Sequence, residues 1–175
     1  MRFFDMFTLE QRETRDGMIH QGIFCKSKRK SNTALLWIHG LTGSFYGNTP
    51  LLVALCQYCR NHGYAFASFN TRGHDIVTSA KKTDKRKKKG YRYVNAGAGY
   101  EDFRTSVYDI EASVSFLEEK EYTRVVLIGH STGANKACYY VGSRRDRRIA
   151  GVILAGPVSD RLVPNLDQRK VKRDL

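Results

Sequence analysis

Apolar positions along this chain fall into two rhythms. Ala34-Leu35-Leu36-Trp37-Ile38, Val125-Val126-Leu127-Ile128 and residues 149–158 are runs with little polar alternation. Such runs suit strands buried on both faces of a parallel sheet. Residues 64–69 read as a further strand. Phe103, Val107, Ile110, Val114 and Leu117 instead recur at spacings of four and three, which predicts an amphipathic helix. A second helix opens at Thr49-Pro50, presents Leu51, Leu52, Leu55, Tyr58 and Cys59, and ends at Gly63. A third carries Ala134, Ala137, Cys138 and Val141. Residues 7–15 and 18–26 are β-prone runs about Asp16-Gly17, a hairpin-type turn signal.

The predicted order is β-β-β-α-β-α-β-α-β. It argues for an α/β fold with a mostly parallel sheet and helices on both faces. Residues 76–99 read as one long polar loop, and 161–175 as a basic tail. There is no internal repeat and no Pro/Ser-rich linker, so residues 1–160 are expected to form a single domain.

Composition adds limits. Of 175 residues, 41% are hydrophobic, enough for a core, and no apolar run is long enough to span a membrane. Asp5 falls too early for a signal peptide, so a cytoplasmic location is expected. Cys25, Cys56, Cys59 and Cys138 fit a reducing compartment. Cys56-x-x-Cys59 lies late in its helix with no second pair, and reads as core packing; no metal or cofactor is implied.

The net charge is +13. It concentrates at Lys81–Lys89 and in the last third of the chain. Neither stretch is interleaved with aromatics as a base-stacking platform would be, so both read as solvated segments, and no specific nucleic-acid partner is expected.

The candidate chemistry lies at Gly129-His130-Ser131-Thr132-Gly133. This is a G-x-S-x-G sequence between a strand and a helix, the setting that lifts a serine hydroxyl out of the sheet's end. His39-Gly40 and Arg72-Gly73-His74 also fall at the carboxyl ends of strands, where open α/β sheets bind ligands.

With these turns the chain resembles the α/β-hydrolase superfamily, of the serine hydrolase and esterase type. Trp37-Ile38-His39-Gly40-Leu41-Thr42-Gly43 resembles the family's HG turn, and Asn70-Thr71-Arg72-Gly73-His74 its RGHG-like turn. Leu127-Ile128-Gly129-His130-Ser131-Thr132-Gly133 resembles its nucleophile elbow, and Gly151-Val152-Ile153-Leu154-Ala155-Gly156-Pro157 its sixth strand. The resemblance implies that Ser131 attacks an ester or related acyl carbonyl. It implies also that the backbone N–H groups of Leu41 and Thr132 form the oxyanion hole.

It further implies an acid after a later strand and a histidine after the last one. No histidine follows His130, so the chain reads as lacking the last strands of the fold. Asp160 is a stand-in for the acid or an ordinary turn aspartate. His39 and His74 read as turn-stabilising, with His74 as an unusual donor if a base is present. Three functions stay open: a serine hydrolase of small acyl substrates, a truncated and catalytically incomplete hydrolase-like protein, and a basic binder of anionic surfaces or nucleic acid. The sixth strand would be an apolar edge through which the chain self-associates.

Overall fold

The computed structural model describes residues 6–159. The basic tail at 161–175 and Asp160 lie outside the described residues. Among the described residues eight strands form one sheet: β1 Thr8–Glu13, β2 Met18–Cys25, β3 Thr33–Ile38, β4 Ala65–Phe69, β5 Thr78–Thr83, β6 Tyr91–Ala96, β7 Arg124–His130 and β8 Ile149–Ala155. The helices are α1 Thr49–His62, α2 Ser106–Glu119 and α3 Thr132–Arg144. The sheet runs β6-β5-β2-β4-β3-β7-β8, with β1 also paired to β2. It is parallel across β4-β3-β7-β8 and antiparallel in the β1, β2, β5 and β6 region.

The lack of polar alternation in the central strands follows from cover on both sides. Along β3, Ala34, Leu36 and Ile38 face a core shared with Val107, Ile110, Val114 and Leu117 of α2 and Ala137 and Tyr140 of α3. Trp37 points the other way, into a core with Leu52, Cys56 and Cys59 of α1. Cys25 is buried in this second core, so the Cys56-x-x-Cys59 pair packs there as apolar side chains do. Pro50 sits in the first turn of α1, and Gly63 ends the helix at φ 85°, a left-handed conformation that costs glycine little.

Two expectations change. Residues 76–99 are not one loop: β5 and β6 form an antiparallel hairpin. Its inward side is small, with Ala80, Val94 and Ala96 packing on Met18, which leaves too little hydrophobic signal for sequence patterning to register. The last strand ends at Ala155, short of 158. Among the described residues it forms an edge of the sheet, and Val152, Ile153 and Leu154 are exposed on it, so this run is not buried on both faces as its lack of polar residues suggests.

Candidate active site

β7 delivers Ser131 to the sheet's carboxyl end, and α3 begins immediately after it. Ser131 has φ 55° and ψ −127°, a backbone conformation that L-residues rarely adopt and that costs of order 1–3 kcal/mol. Strand and helix impose it. The Ser131 N–H donates to Ala155 O at 2.9 Å, and its carbonyl accepts from Ala134 N at 2.9 Å.

Two glycines make the turn sterically feasible. A Cβ on Gly129 would lie 2.5 Å from the Ala134 Cα, and one on Gly133 would strike the backbone oxygens of Ile38 and His39. A third, Gly40, abuts the serine: a Cβ there would lie 2.8 Å from Ser131 Cβ. The turn after β3 and the turn after β7 are therefore in contact.

The Ser131 hydroxyl makes no hydrogen bond among the described residues. The serine lines a pocket of about 320 Å³ with Trp37, His39, Leu41, Ser44, Leu52 and His130. The N–H groups of Leu41 and Thr132 likewise donate to no acceptor among the described residues. Thr132 opens α3, where unpaired N–H groups and the helix dipole favour negative charge. The structure thus brings Ser131, Leu41 and Thr132 to one place.

The histidines are a different matter. His39 is 3% exposed. Its Nδ1–H donates to Gly40 O at 2.9 Å, and its Nε2 accepts from the Thr71 N–H at 3.0 Å. Burial lowers its pKa to about 4, so it is neutral at pH 7, and both ring nitrogens are occupied. His74 Nδ1–H donates to Thr71 O at 2.8 Å. His130 stacks on Trp37 with ring centroids 5.7 Å apart. None of them is bonded to the serine.

Sequence reasoning missed two buried charge clusters beside these turns. Asp109 of α2 is fully buried and accepts from the Arg72 N–H at 2.9 Å, from Arg72 Nη2 at 2.9 Å and from His20 Nε2 at 3.1 Å. Burial alone would raise its pKa. His20 and Arg72 overcome that and hold the carboxyl well below the usual range. Arg72 also reaches Asp16 at 3.1 Å. This cluster pins the turn after β4 to α2 and to the β1–β2 turn.

In the second cluster, Lys136 of α3 is buried 2.6 Å from Glu101 Oε1 and 3.5 Å from Thr71 Oγ1. Lys136 did carry a sequence signal: it shares the buried stripe of α3 with Gly133, Ala137 and Tyr140.

Comparison with known proteins identifies the fold family. Residues 33–174 match the model of the alpha/beta hydrolase fold family. The chain belongs to this family. Among solved structures, an esterase of Pyrococcus furiosus is similar with a TM-score of 0.62 and 18% identity, over 86% of this chain and 49% of that one. An esterase of Exiguobacterium antarcticum gives 0.58 and 19%, over 84% and 44%. A highly thermostable carboxyl esterase of Bacillus coagulans gives 0.58 and 16%, over 85% and 44%. The chain therefore spans about half the length of these relatives. No curated protein sequence matches it. Among the described residues no helix is long and apolar enough to cross a membrane, and no cluster of His, Cys, Asp and Glu could hold a metal ion.

Proposed function

We propose that this chain provides the nucleophile and oxyanion side of a serine hydrolase acting on carboxylic esters or related small acyl substrates. The observation that carries the reading is the unpartnered Ser131 hydroxyl, held at φ 55° beside the unpartnered N–H groups of Leu41 and Thr132. Three of the similar solved structures are named as esterases, which lends it support.

In the first step Ser131 Oγ bonds to the acyl carbon and its proton passes to a base. The carbonyl oxygen becomes an oxyanion that accepts from Leu41 N–H and Thr132 N–H, each donor being worth roughly 2.7–4 kcal/mol in the transition state. The carbon–oxygen bond to the leaving alcohol breaks, and the alcohol takes up the proton. Water then attacks the acyl-enzyme by the reverse route, releasing the acid and restoring Ser131.

His39 has both ring nitrogens engaged and no described histidine is bonded to the serine, so this reading requires a base that these contacts do not supply. The same observation favours a second reading, a hydrolase scaffold that does not turn over. Loss of the base lowers kcat by about 10⁶ in a serine protease, and roughly 10³–10⁴ over water remains from the oxyanion hole and binding.

Hydrolysis of p-nitrophenyl butyrate separates the two readings, measured with and without added imidazole and against Ser131→Ala. A Ser131-dependent rate that rises with imidazole supports the nucleophile–oxyanion assignment with an external base. A rate identical in Ser131→Ala at every imidazole concentration supports the scaffold reading.

A further inference from the structure

The lysine-rich stretch has a geometry that its sequence hides. From Lys81 to Arg92 there are eight cationic residues and one acid. The acid, Asp84, is internally neutralised: its carboxylate accepts from Arg86 Nε at 3.1 Å and lies 3.9 Å from Arg92 Nε. The tip of the hairpin is built, with Asp84 N bonded to Gly90 O at 2.9 Å and Gly90 N to Lys87 O at 2.8 Å. Lys85, Lys87, Lys88 and Lys89 project from it, exposed and without an ion-pair partner among the described residues.

Strand pairing then supplies what the linear order lacks. Lys81 lies opposite Tyr93 and Thr83 opposite Tyr91. Alternation puts these four side chains on the face away from the Ala80–Val94–Ala96 cluster. Tyr91 and Tyr93 meet edge to face with centroids 5.7 Å apart, and Lys81 Nζ stands 4.7 Å over the Tyr91 ring. Tyr93 is 60% exposed. Tyr93 and Lys81 also border a cleft of about 130 Å³ lined by Gln11, Gln21, Asn70 and His74, side chains that can donate and accept hydrogen bonds. Aromatics and cations are interleaved across the ladder although they are not interleaved along the chain.

We propose that the β5–β6 hairpin binds single-stranded nucleic acid, with phosphates on the Lys85–Lys89 tip and Lys81 and a base stacked on Tyr93. The charge is complementary to a polyanion, and the outward face of this edge hairpin leaves the Tyr93 ring open to an unpaired base. An anionic lipid surface fits less well. The tip has no apolar residue from Lys85 to Lys89, so a membrane would be met by charge alone and the tyrosine face would go unused. The proposal is independent of the hydrolase reading, and its test reads no turnover.

The test is fluorescence anisotropy of a short labelled oligo(U) titrated with the full chain at 50 and 200 mM salt, beside phosphatidylserine vesicles. Binding should weaken steeply with salt. Tyr93→Ala should weaken it about 5- to 100-fold at fixed salt, and Tyr93→Phe should restore it. Replacing Lys87, Lys88 and Lys89 together by alanine should flatten the log–log salt slope by roughly 2. Unfolding midpoints of the variants verify that the hairpin remains folded. Equal binding by Tyr93→Ala and the parent, vesicle binding without oligonucleotide binding, or no binding at 50 mM salt would each overturn the proposal.

Discussion

The turn after β4 and the turn after β7 both end a central strand at the same side of the sheet, yet they treat their polar groups in opposite ways. In the first, Arg72 is bonded to Asp109, Asp16 and Thr105, and His74 is bonded to Thr71. In the second, Ser131 pays for a rare backbone conformation and gains no side-chain hydrogen bond. One turn is pinned by its side chains, and the other leaves a hydroxyl without a hydrogen-bond partner among the described residues. The difference shows how to separate the two kinds of residue in a family where both turns carry polar side chains.

The largest effect should come from breaking the saturated turn. Asp109→Ala strands Arg72 in a buried site, and the loss of one partner from a buried ionic cluster costs about 3–5 kcal/mol. Urea unfolding followed by circular dichroism should show that loss, and a change under 1 kcal/mol would refute the pinning role.

Acid should weaken the same side of the molecule by about 3 kcal/mol. The folded pKa of His39, about 4, lies below its ordinary 6.5. Between these values the unfolded chain binds a proton that the folded chain refuses, so stability falls as pH drops from 6.5 to 4. Asp109 adds a further loss below its ordinary 3.8, because its folded pKa is lower still. Burial lowers the His20 pKa as well, so the urea midpoint measured across pH 7 to 4 reads both histidines, and His39→Gln should remove only part of the slope.

At the unsaturated turn the sign reverses. Ser131→Gly should stabilise the fold by about 1 kcal/mol, since glycine adopts positive φ without strain. A destabilised variant would mean that the hydroxyl contributes a contact after all. An effect of similar size and opposite sign belongs to the hairpin tip. Gly90 has φ +76° with nothing within 4 Å of a built Cβ, so Gly90→Ala should cost about 1 kcal/mol from backbone strain alone.

Much of this was legible in the sequence where one local rule decides. The runs at Ala34–Ile38 and Val125–Ile128 lack polar alternation because both faces are covered, and the glycines about Ser131 mark a close strand–helix approach. The rest depends on pairing across distance. The hairpin rests on small residues, Ala80, Val94 and Ala96, whose hydrophobic signal is faint. The tyrosine–lysine face exists only once β5 and β6 are in register. The Asp109 cluster joins residues from three separate segments, and no spacing in the chain announces it. The placement of Ser131 was readable, whereas the full engagement of His39 by Gly40 and Thr71 was not.

The proposed role of Ser131 is that of the reactive nucleophile in an oxyanion-lined pocket. Its most direct test is the intact mass of the chain after exposure to a fluorophosphonate, with Ser131→Ala as control. One adduct per chain is expected, formed slowly, accelerated by imidazole and absent from Ser131→Ala. A folded chain that stays unlabelled under imidazole, or that is labelled equally in Ser131→Ala, would contradict it.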